Sequence, residues 1–329
     1  MIAITIDLEA WYHVPVITGS PFARYGTVDQ FFQSWTGRYD YLTRPTLKVL
    51  DLLDEFGITA TFFVVADIIG HYPGLVQAIA ARGHEIACHG LHHECKIHPK
   101  TKQPTMSRGE FLRRTARAKD VLQQTTGHEV IGYRAPAAYI GGWMLPALQE
   151  LGFLYDSSVA ANSFYNKTDS RPLVVGTCPY RPAHGRLTPS RDGNGIVELP
   201  WPFFKMGLTF PTAGGPMLRL LGAHYLRLGL EQSRRRGHTL LYFHPIDLSR
   251  EAFPSCGFHW RRPFYWSVRG KPVENRIRWL LRKYASLTGT CSDILHEVAA
   301  TPVQHLANKP VEPFRPHTRV AVERVEGDT

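Results

Sequence analysis

Hydrophobic and polar positions alternate between two periods along this chain. Residues 2–6 are mostly apolar and alternate weakly, as a buried strand does. Residues 10–44 are aromatic-rich and irregular, with Gly19, Pro21 and Gly26, and read as a long loop holding a short helix around 28–35. Pro45 opens a helix through Phe56, with Leu47, Leu50, Leu53 and Phe56 on one face and Gly57 as its stop. Residues 59–65 are β-branched and aromatic, a second strand. A helix from Pro73 ends at Gly83, and 84–88 form a third strand that delivers His89 at its C-terminal end. Ser107 with Glu110 three residues later is a capping box, starting a helix to about Thr125 that Gly127 closes. Residues 129–133 and 153–155 read as strands around a helix near 142–151. Residues 160–195, rich in Pro, Gly, Arg and Asn, read as an irregular insertion. A short strand at 196–199, a helix at about 217–236 and a last clear strand at 239–243 follow. Residues 273–285 and 291–299 look helical, and 301–329 are polar and proline-containing. Strand and helix alternate repeatedly, which predicts an α/β fold with a mainly parallel sheet or barrel.

Composition narrows the class. The chain has 329 residues, 43% hydrophobic and 12% aromatic, enough for a substantial core rather than a disordered chain. Its net charge of +10 fits either a basic solvated surface or an anionic partner, such as membrane headgroups or lipid-linked phosphosugars. There is no zinc-finger spacing, RNA-recognition signature or basic-region heptad, so a nucleic-acid partner is not expected. The five cysteines, at 88, 95, 178, 256 and 291, are scattered and never form Cys-x-x-Cys, which argues against a disulfide framework or a cysteine zinc site. No uninterrupted apolar run reaches ~18 residues, so no spanning helix is expected. The first residues lack the parts of a signal peptide, and a cytoplasmic location follows as an expectation. The stretch 217–230 reads as a core helix or dimer face; lying on a membrane, with its arginines at the headgroups, is the alternative.

The chemistry-bearing residues gather at predicted strand ends. Asp7 and Glu9 lie two apart, on one face of a straight strand. His89 and His93 lie four apart and turn toward one point if the backbone there makes a helical turn. His92 is a rival partner for His89, but spacing favours His93. Imidazole and carboxylate donors are what a catalytic zinc site uses, and one carboxylate beyond the ligand count is free to act as a base. Arg134 follows a strand and can pair with Asp7, and His244 ends the apolar run 240–243, where a general acid fits. Each has an ordinary alternative: a loop start, a surface ion pair, a structural histidine. Their shared place at the C-terminal ends of strands, where α/β barrels put their chemistry, gives the set its weight.

In order, the chain reads Thr5-x-Asp7-x-Glu9, Thr61-Phe62-Phe63, Gly83-His84-Glu85-Ile86-Ala87-Cys88-His89-Gly90-x-x-His93, Tyr133-Arg134-Ala135-Pro136, Tyr155-Asp156-Ser157-Ser158 and Tyr242-Phe243-His244-Pro245. This series resembles the NodB-homology polysaccharide deacetylases of carbohydrate esterase family 4. The Asp-x-Glu start with Trp11-Tyr12 is most similar to the branch found beside exosortase and exopolysaccharide loci. The resemblance covers about residues 1–290, leaving a C-terminal helix and polar tail at 291–329. It implies a distorted (β/α) barrel, one divalent metal ion, usually zinc, and hydrolysis of an N-acetyl group on an amino sugar. By position it implies Asp7 as base, Glu9, His89 and His93 as metal ligands, and Arg134 as the residue that orients the base. It further implies the amide N–H near Ala137 as an oxyanion donor and His244 as general acid, oriented by Asp156 or Asp247. Trp11, Tyr139 and Trp201 are the aromatic residues it points to for substrate contact.

The chain departs from the family pattern in ways that bear on substrate choice more than on chemistry. The commoner pattern has two adjacent aspartates in place of Asp7-x-Glu9. The exosortase-associated branch usually has an acid where this chain has Ala10 and a tryptophan where it has Ile246, and Tyr242 replaces a usual leucine. The expected substrate is an amino sugar in a polysaccharide or its lipid-linked precursor. Alternatives are a deformylase or small-molecule amidase on the same fold, or a catalytically silent carbohydrate-binding relative; retention of Asp7 and His244 speaks against the last.

Overall fold

A computed structural model describes residues 1–14, 40–160, 167–169, 175–190, 195–252 and 264–300. The helix expected at 28–35 and the tail at 301–329 lie outside the described residues.

An eight-stranded sheet forms the centre: β1 (Ile2–Leu8), β2 (Thr61–Val64), β3 (Glu85–Cys88), β4 (Gly132–Tyr133), β5 (Tyr155–Asp156), β6 (Val197–Glu198), β9 (Thr239–Phe243) and β10 (Thr288–Gly289). The strands run β9-β1-β2-β3-β4-β5-β6, every pairing parallel, with β10 also on β1. Among the described residues β6 and β9 do not pair, so the sheet curls into a distorted, open (β/α) barrel. The helices are α1 (Thr43–Glu55), α2 (Ile68–His71), α3 (Leu75–Ala81), α4 (Arg108–Thr126), α5 (Met144–Glu150), α6 (Gly215–Arg234), α7 (Lys271–Tyr284) and α8 (Cys291–Ala300). A hairpin, β7 (Phe203–Met206) with β8 (Leu208–Pro211), packs on α6.

The period of two in the strands splits the core into two clusters. Ile2, Ile4, Ile6 and Leu8 on β1, Phe62 and Val64 on β2, and Leu241 and Phe243 on β9 face the helices. Ala3, Phe63, Ala87, Tyr155, Val197, Leu240 and Tyr242 form the inner cluster, which also takes in Trp201. Helix α8 packs Cys291, Ile294, Leu295 and Val298 on that inner cluster, and Cys291 N–H donates to Thr61 Oγ1 at 2.8 Å.

Register sets up the site. Leu8, Val64, Cys88, Tyr133, Asp156 and Glu198 are partners in one transverse row. Glu9, His89 and Arg134 are each the next residue beyond that row, so three separate motifs emerge side by side at one edge. On β9, Phe243 pairs with Ile6, which brings His244 up beside Asp7.

Several boundaries differ from the sequence reading. Helix α1 begins two residues before Pro45 and buries Val49, Leu50, Leu52 and Leu53, leaving Leu47 37% exposed. The segment from Pro73 to Gly83 is helical only over Leu75–Ala81. Helix α4 follows its capping box, with Ser107 Oγ accepting from Glu110 N–H, and Gly127 closes it at φ 71°. Helix α6 breaks at Gly222, whose φ of 81° and ψ of −179° no helix contains. It buries Leu218, Ala223, Leu226 and Leu230 and exposes Leu220, Leu221 and Leu228.

Candidate active site

Asp7 is the last inward-facing position of β1 and is buried at the strand end. Arg134 Nη1 donates to its Oδ1 at 2.6 Å. The rest of the guanidinium is held by Ser157 O and Ser157 Oγ, both at 2.9 Å, and by Thr5 Oγ1 at 3.1 Å, and it stacks over the Phe63 ring at 3.9 Å. Burial opposes the charge on Asp7, but Arg134, with His89 and His244, outweighs it and holds the carboxyl below its ordinary value. Asp7 is thus an ionised, oriented carboxylate with Oδ2 left open toward His244 Nε2, 3.8 Å away.

Glu9, His89 and His93 are all buried, and each offers one ligand atom within 4.8 Å of the others. His89 Nδ1 lies 2.8 Å from the Arg134 carbonyl. A carbonyl only accepts, so Nδ1 carries the proton and Nε2 keeps its lone pair for a metal. Burial pushes His89 down to about 4, which keeps the ring neutral as a ligand must be. His93 Nε2 lies 2.6 Å from Glu9 Oε2. Glu9 is held well below the ordinary carboxyl range: burial works against its charge, and His93 and His244 overcome that.

The two histidines do not meet through a helical turn. Residues 89–94 are irregular, with Gly90 at φ 84° and His93 at φ 57°. A left-handed histidine between two irregular stretches swings the second ring back onto the first, and the centroids end 4.9 Å apart. His92 points elsewhere, its Nδ1 3.1 Å from Asp67 Oδ2, so His93 is the partner.

His244 stands across from both carboxylates, its Nε2 3.3 Å from Glu9 Oε1. Asp247 Oδ2 accepts the His244 N–H at 2.9 Å and lies 3.6 Å from its Nδ1. Asp247 is itself fixed by buried Arg219, whose guanidinium stacks 3.9 Å above Trp266. Burial would lower the His244 pKa, but Asp247 and Glu9 raise it to about 9, so the ring is a cation at neutral pH.

The turn after Arg134 carries two left-handed alanines, Ala137 at φ 52° and Ala138 at φ 61°. Within it, the N–H groups of Ala138 and Tyr139 go to the carbonyls of Ala135 and Pro136, and the Ala137 N–H is given no acceptor there. Lys167 Nζ donates to Ala137 O at 3.0 Å and lies 5.8 Å and 5.9 Å from the rings of Tyr139 and Trp201.

Residues 36–155 match the polysaccharide deacetylase family, and 174–291 match a domain of unknown function, DUF3473. The chain carries a polysaccharide deacetylase domain. The chain is 29% identical over 169 residues to a peptidoglycan deacetylase-like protein of Gibberella zeae, an alignment over 49% of this chain and 47% of that protein. Over 48 residues it is 40% identical to a chitooligosaccharide deacetylase of a Bradyrhizobium species, 15% of this chain and 22% of that one. These alignments span less than half the length of either relative. A putative polysaccharide deacetylase from Mycobacterium smegmatis has the same fold, with TM-score 0.59 and 24% identity over 96% of this chain and 94% of that one. An allantoinase has it too, with TM-score 0.58 and 16% identity over 92% of this chain and 91% of that one, so the fold alone does not select a sugar amide.

Asp156, Trp11 and Trp201 have surroundings that the sequence did not suggest. Asp156 makes its contacts away from His244: its carboxylate accepts from Ser158 Oγ at 2.6 Å and Ser158 N–H at 3.2 Å and hydrogen-bonds the Glu198 side chain, because β5 lies between β4 and β6 and not beside β9. Asp247, in the turn after His244, takes that place. Trp11 is only 4% exposed, its ring against Tyr12 and Tyr41 in the core cluster that holds the helix-facing residues of β1. Trp201 is also buried, with Nε1 donating to Ser157 O at 2.9 Å and its ring 4.3 Å from Tyr242; it backs the site rather than lining it broadly. Tyr139 remains half-buried beside Lys167. Thr5, Ser157 and Arg219 are further residues that hold the site and that sequence reasoning gave no role; Thr5 and Ser157 stand inside the motifs around Asp7 and Asp156 and were within reach, and nothing around Arg219 marks it.

Proposed function

We propose that this chain is a metal-dependent N-deacetylase that hydrolyses the acetamide of an amino sugar in a polysaccharide or a lipid-linked glycan precursor. The observation that carries this is the convergence of three buried donors, Glu9, His89 and His93, with an oriented carboxylate on one side and a cationic histidine on the other. Two imidazoles and one carboxylate are a catalytic zinc set, and the neutral, Nδ1-anchored His89 fits that role. A divalent cation bound there, zinc by this donor set, supplies Lewis acidity toward water and the amide carbonyl.

The chain's own groups carry the proton traffic. Asp7 Oδ2 takes a proton from the attacking water while Arg134 keeps Oδ1 engaged. The Ala137 N–H faces the carbonyl oxygen as negative charge develops, a contact often worth about 3 kcal/mol. His244, charged at neutral pH and backed by Asp247, protonates the departing amine, which otherwise leaves very poorly. The free amine and acetate are the products.

The chitooligosaccharide deacetylase relative supports an amino-sugar amide. The Asp7-x-Glu9 start followed by Trp11-Tyr12 supports the exosortase and exopolysaccharide branch. Exposed Leu220, Leu221 and Leu228 on α6, with Met206 and Leu208 on the hairpin beside it, support a lipid-linked substrate or contact with a membrane surface. Among the described residues no helix is long and apolar enough to cross a membrane. The test is zinc-loaded protein incubated with N-acetylated oligosaccharides and with lipid-linked N-acetyl amino sugars. Acetate from either set is the expected product; formate or ammonia alone transfers the site to another amide, and no product from any overturns the reading.

A further inference from the structure

We propose that Asp67 and His13 form a positioning pair that holds two of the three candidate ligands, Glu9 and His93, in place for a metal ion. The inference rests on the reading of Glu9, His89 and His93 as ligands of one metal.

His13 touches both of those ligands. It closes the single turn Trp11–His13 that follows Glu9, and its side chain is fully buried. Glu9 is the first residue past β1. The peptide before it is held by the sheet, with Val65 N–H donating to Leu8 O at 3.2 Å. The peptide after it is held by His13, whose Nδ1 accepts the Ala10 N–H at 3.0 Å. The backbone of Glu9 is thereby fixed on both sides of its Cα. The same His13 ring lies against the ring of His93, with centroids 5.7 Å apart.

That second contact matters because His93 lacks the usual anchor. A metal-binding histidine ordinarily has its other ring nitrogen held by a carbonyl or carboxylate, as His89 Nδ1 is by Arg134 O. His93 presents Nε2 to Glu9, and its buried Nδ1 meets no hydrogen-bond partner among the described residues. Its ring is placed by its left-handed backbone and by the imidazoles of His89 and His13 packed beside it.

Asp67 in turn holds His13. Because His13 Nδ1 accepts from Ala10, the ring proton is on Nε2, which lies 2.9 Å from Asp67 Oδ1. Asp67 immediately precedes helix α2, where an aspartate ordinarily caps the first turn with its own side chain. It makes no such cap. Its carboxylate turns to His13 and, through Oδ2, to His92 Nδ1 at 3.1 Å, while its backbone N–H donates to Leu91 O at 3.1 Å. One residue thus joins the turn after Glu9 to the stretch leading into His93. The His92 side chain is 35% exposed and that arm contributes little; the His13 arm is buried and carries the effect.

The test is the zinc affinity of the purified full chain, read by competition with a chromophoric chelator, with thermal unfolding of the zinc-free protein alongside. Losing the partner behind a metal ligand typically costs about 10–100-fold in metal affinity. Asp67→Ala, which releases His13, should weaken zinc binding by about that factor. His13→Phe, which keeps a ring beside His93 and drops both nitrogens, should weaken it about tenfold or more. Asp67→Asn still offers an oxygen to His13 Nε2–H and should bind zinc within about threefold of the parent. A merely structural pair would lower the Tm and leave the zinc Kd of the folded chain where it was. Zinc binding within about threefold of the parent in Asp67→Ala or His13→Phe, or Asp67→Asn as weak as Asp67→Ala, overturns the proposal. If those two variants do not fold, His13→Asn is read by the same limits; it keeps an acceptor for Ala10 and loses the ring against His93 and the reach to Asp67. A parent that binds no zinc overturns the metal site itself and the pair with it. A parent that binds zinc, with variants that bind it equally, overturns the pair alone.

Discussion

Asp7→Asn isolates the base from everything around it. The substitution exchanges Oδ2 for an amino group and leaves Oδ1 to accept from Arg134 Nη1, 2.6 Å away in the parent. Arg134 keeps its bonds to Ser157 and Thr5, and none of the three candidate ligands is altered. What is lost is a carboxylate that Arg134 keeps ionised, at the point nearest His244. A positioned general base contributes typically about 10²–10⁴ in rate, or about 3–5 kcal/mol of barrier. The fold loses less, because the hydrogen bond survives and only the charge partner of Arg134 is removed; about 1–3 kcal/mol is the range for such a change. The assay is acetate release at saturating substrate, with zinc content measured on the same preparation. The variant should keep one zinc per chain and turn over at least a hundredfold more slowly. Turnover within tenfold of the parent refutes Asp7 as base, and loss of zinc with activity makes it a ligand instead.

Three further outcomes follow from neighbouring groups. Asp247→Asn should lower the pKa of His244 from about 9, so the alkaline limb of kcat/KM, where the acid loses its proton, moves to lower pH; a limb that stays put removes Asp247 from the mechanism. Glu198 is buried against Asp156 and its pKa is raised, so the folded chain keeps a proton that the unfolded chain gives up above about pH 4. Its contribution is therefore full in acid and declines as pH rises, by up to about 1.4 kcal/mol per pH unit until it ionises. Glu198→Gln should gain on the parent in urea denaturation between pH 5 and pH 8, and an equal difference at both pH values contradicts this. Ala137→Gly relieves a left-handed alanine and should stabilise the fold by about 0.5–1 kcal/mol after the added backbone entropy is counted; a lowered Tm contradicts the strain.

Much of the site was legible because strand ends announce themselves. The strand-like stretches at 2–6, 84–88 and 239–243 end where Asp7, His89 and His244 begin, and parallel register does the rest by aligning those ends. The inward face of β1 was legible as well, since Thr5, Asp7 and Glu9 keep the period of two. What escaped depends on backbone that no pattern marks. His93 reaches His89 only through its own left-handed φ, which histidine adopts rarely and the sequence does not signal. The choice between Asp156 and Asp247 turns on which strand lies beside β9, a long-range fact. The hairpin over 203–211 was missed because its outward residues, Met206 and Leu208, are apolar and exposed, so alternation is lost. Strand β10 is two residues long, too short for any periodicity.

The central claim is one metal held by Glu9, His89 and His93. Anomalous diffraction from crystals soaked in zinc, recorded on both sides of the zinc edge, tests it most directly. One peak is expected about 2.0–2.2 Å from Glu9 oxygen, His89 Nε2 and a His93 nitrogen, with Asp7 beyond ligand distance. No peak at that position, or a peak bound through Asp7 in place of Glu9, contradicts it.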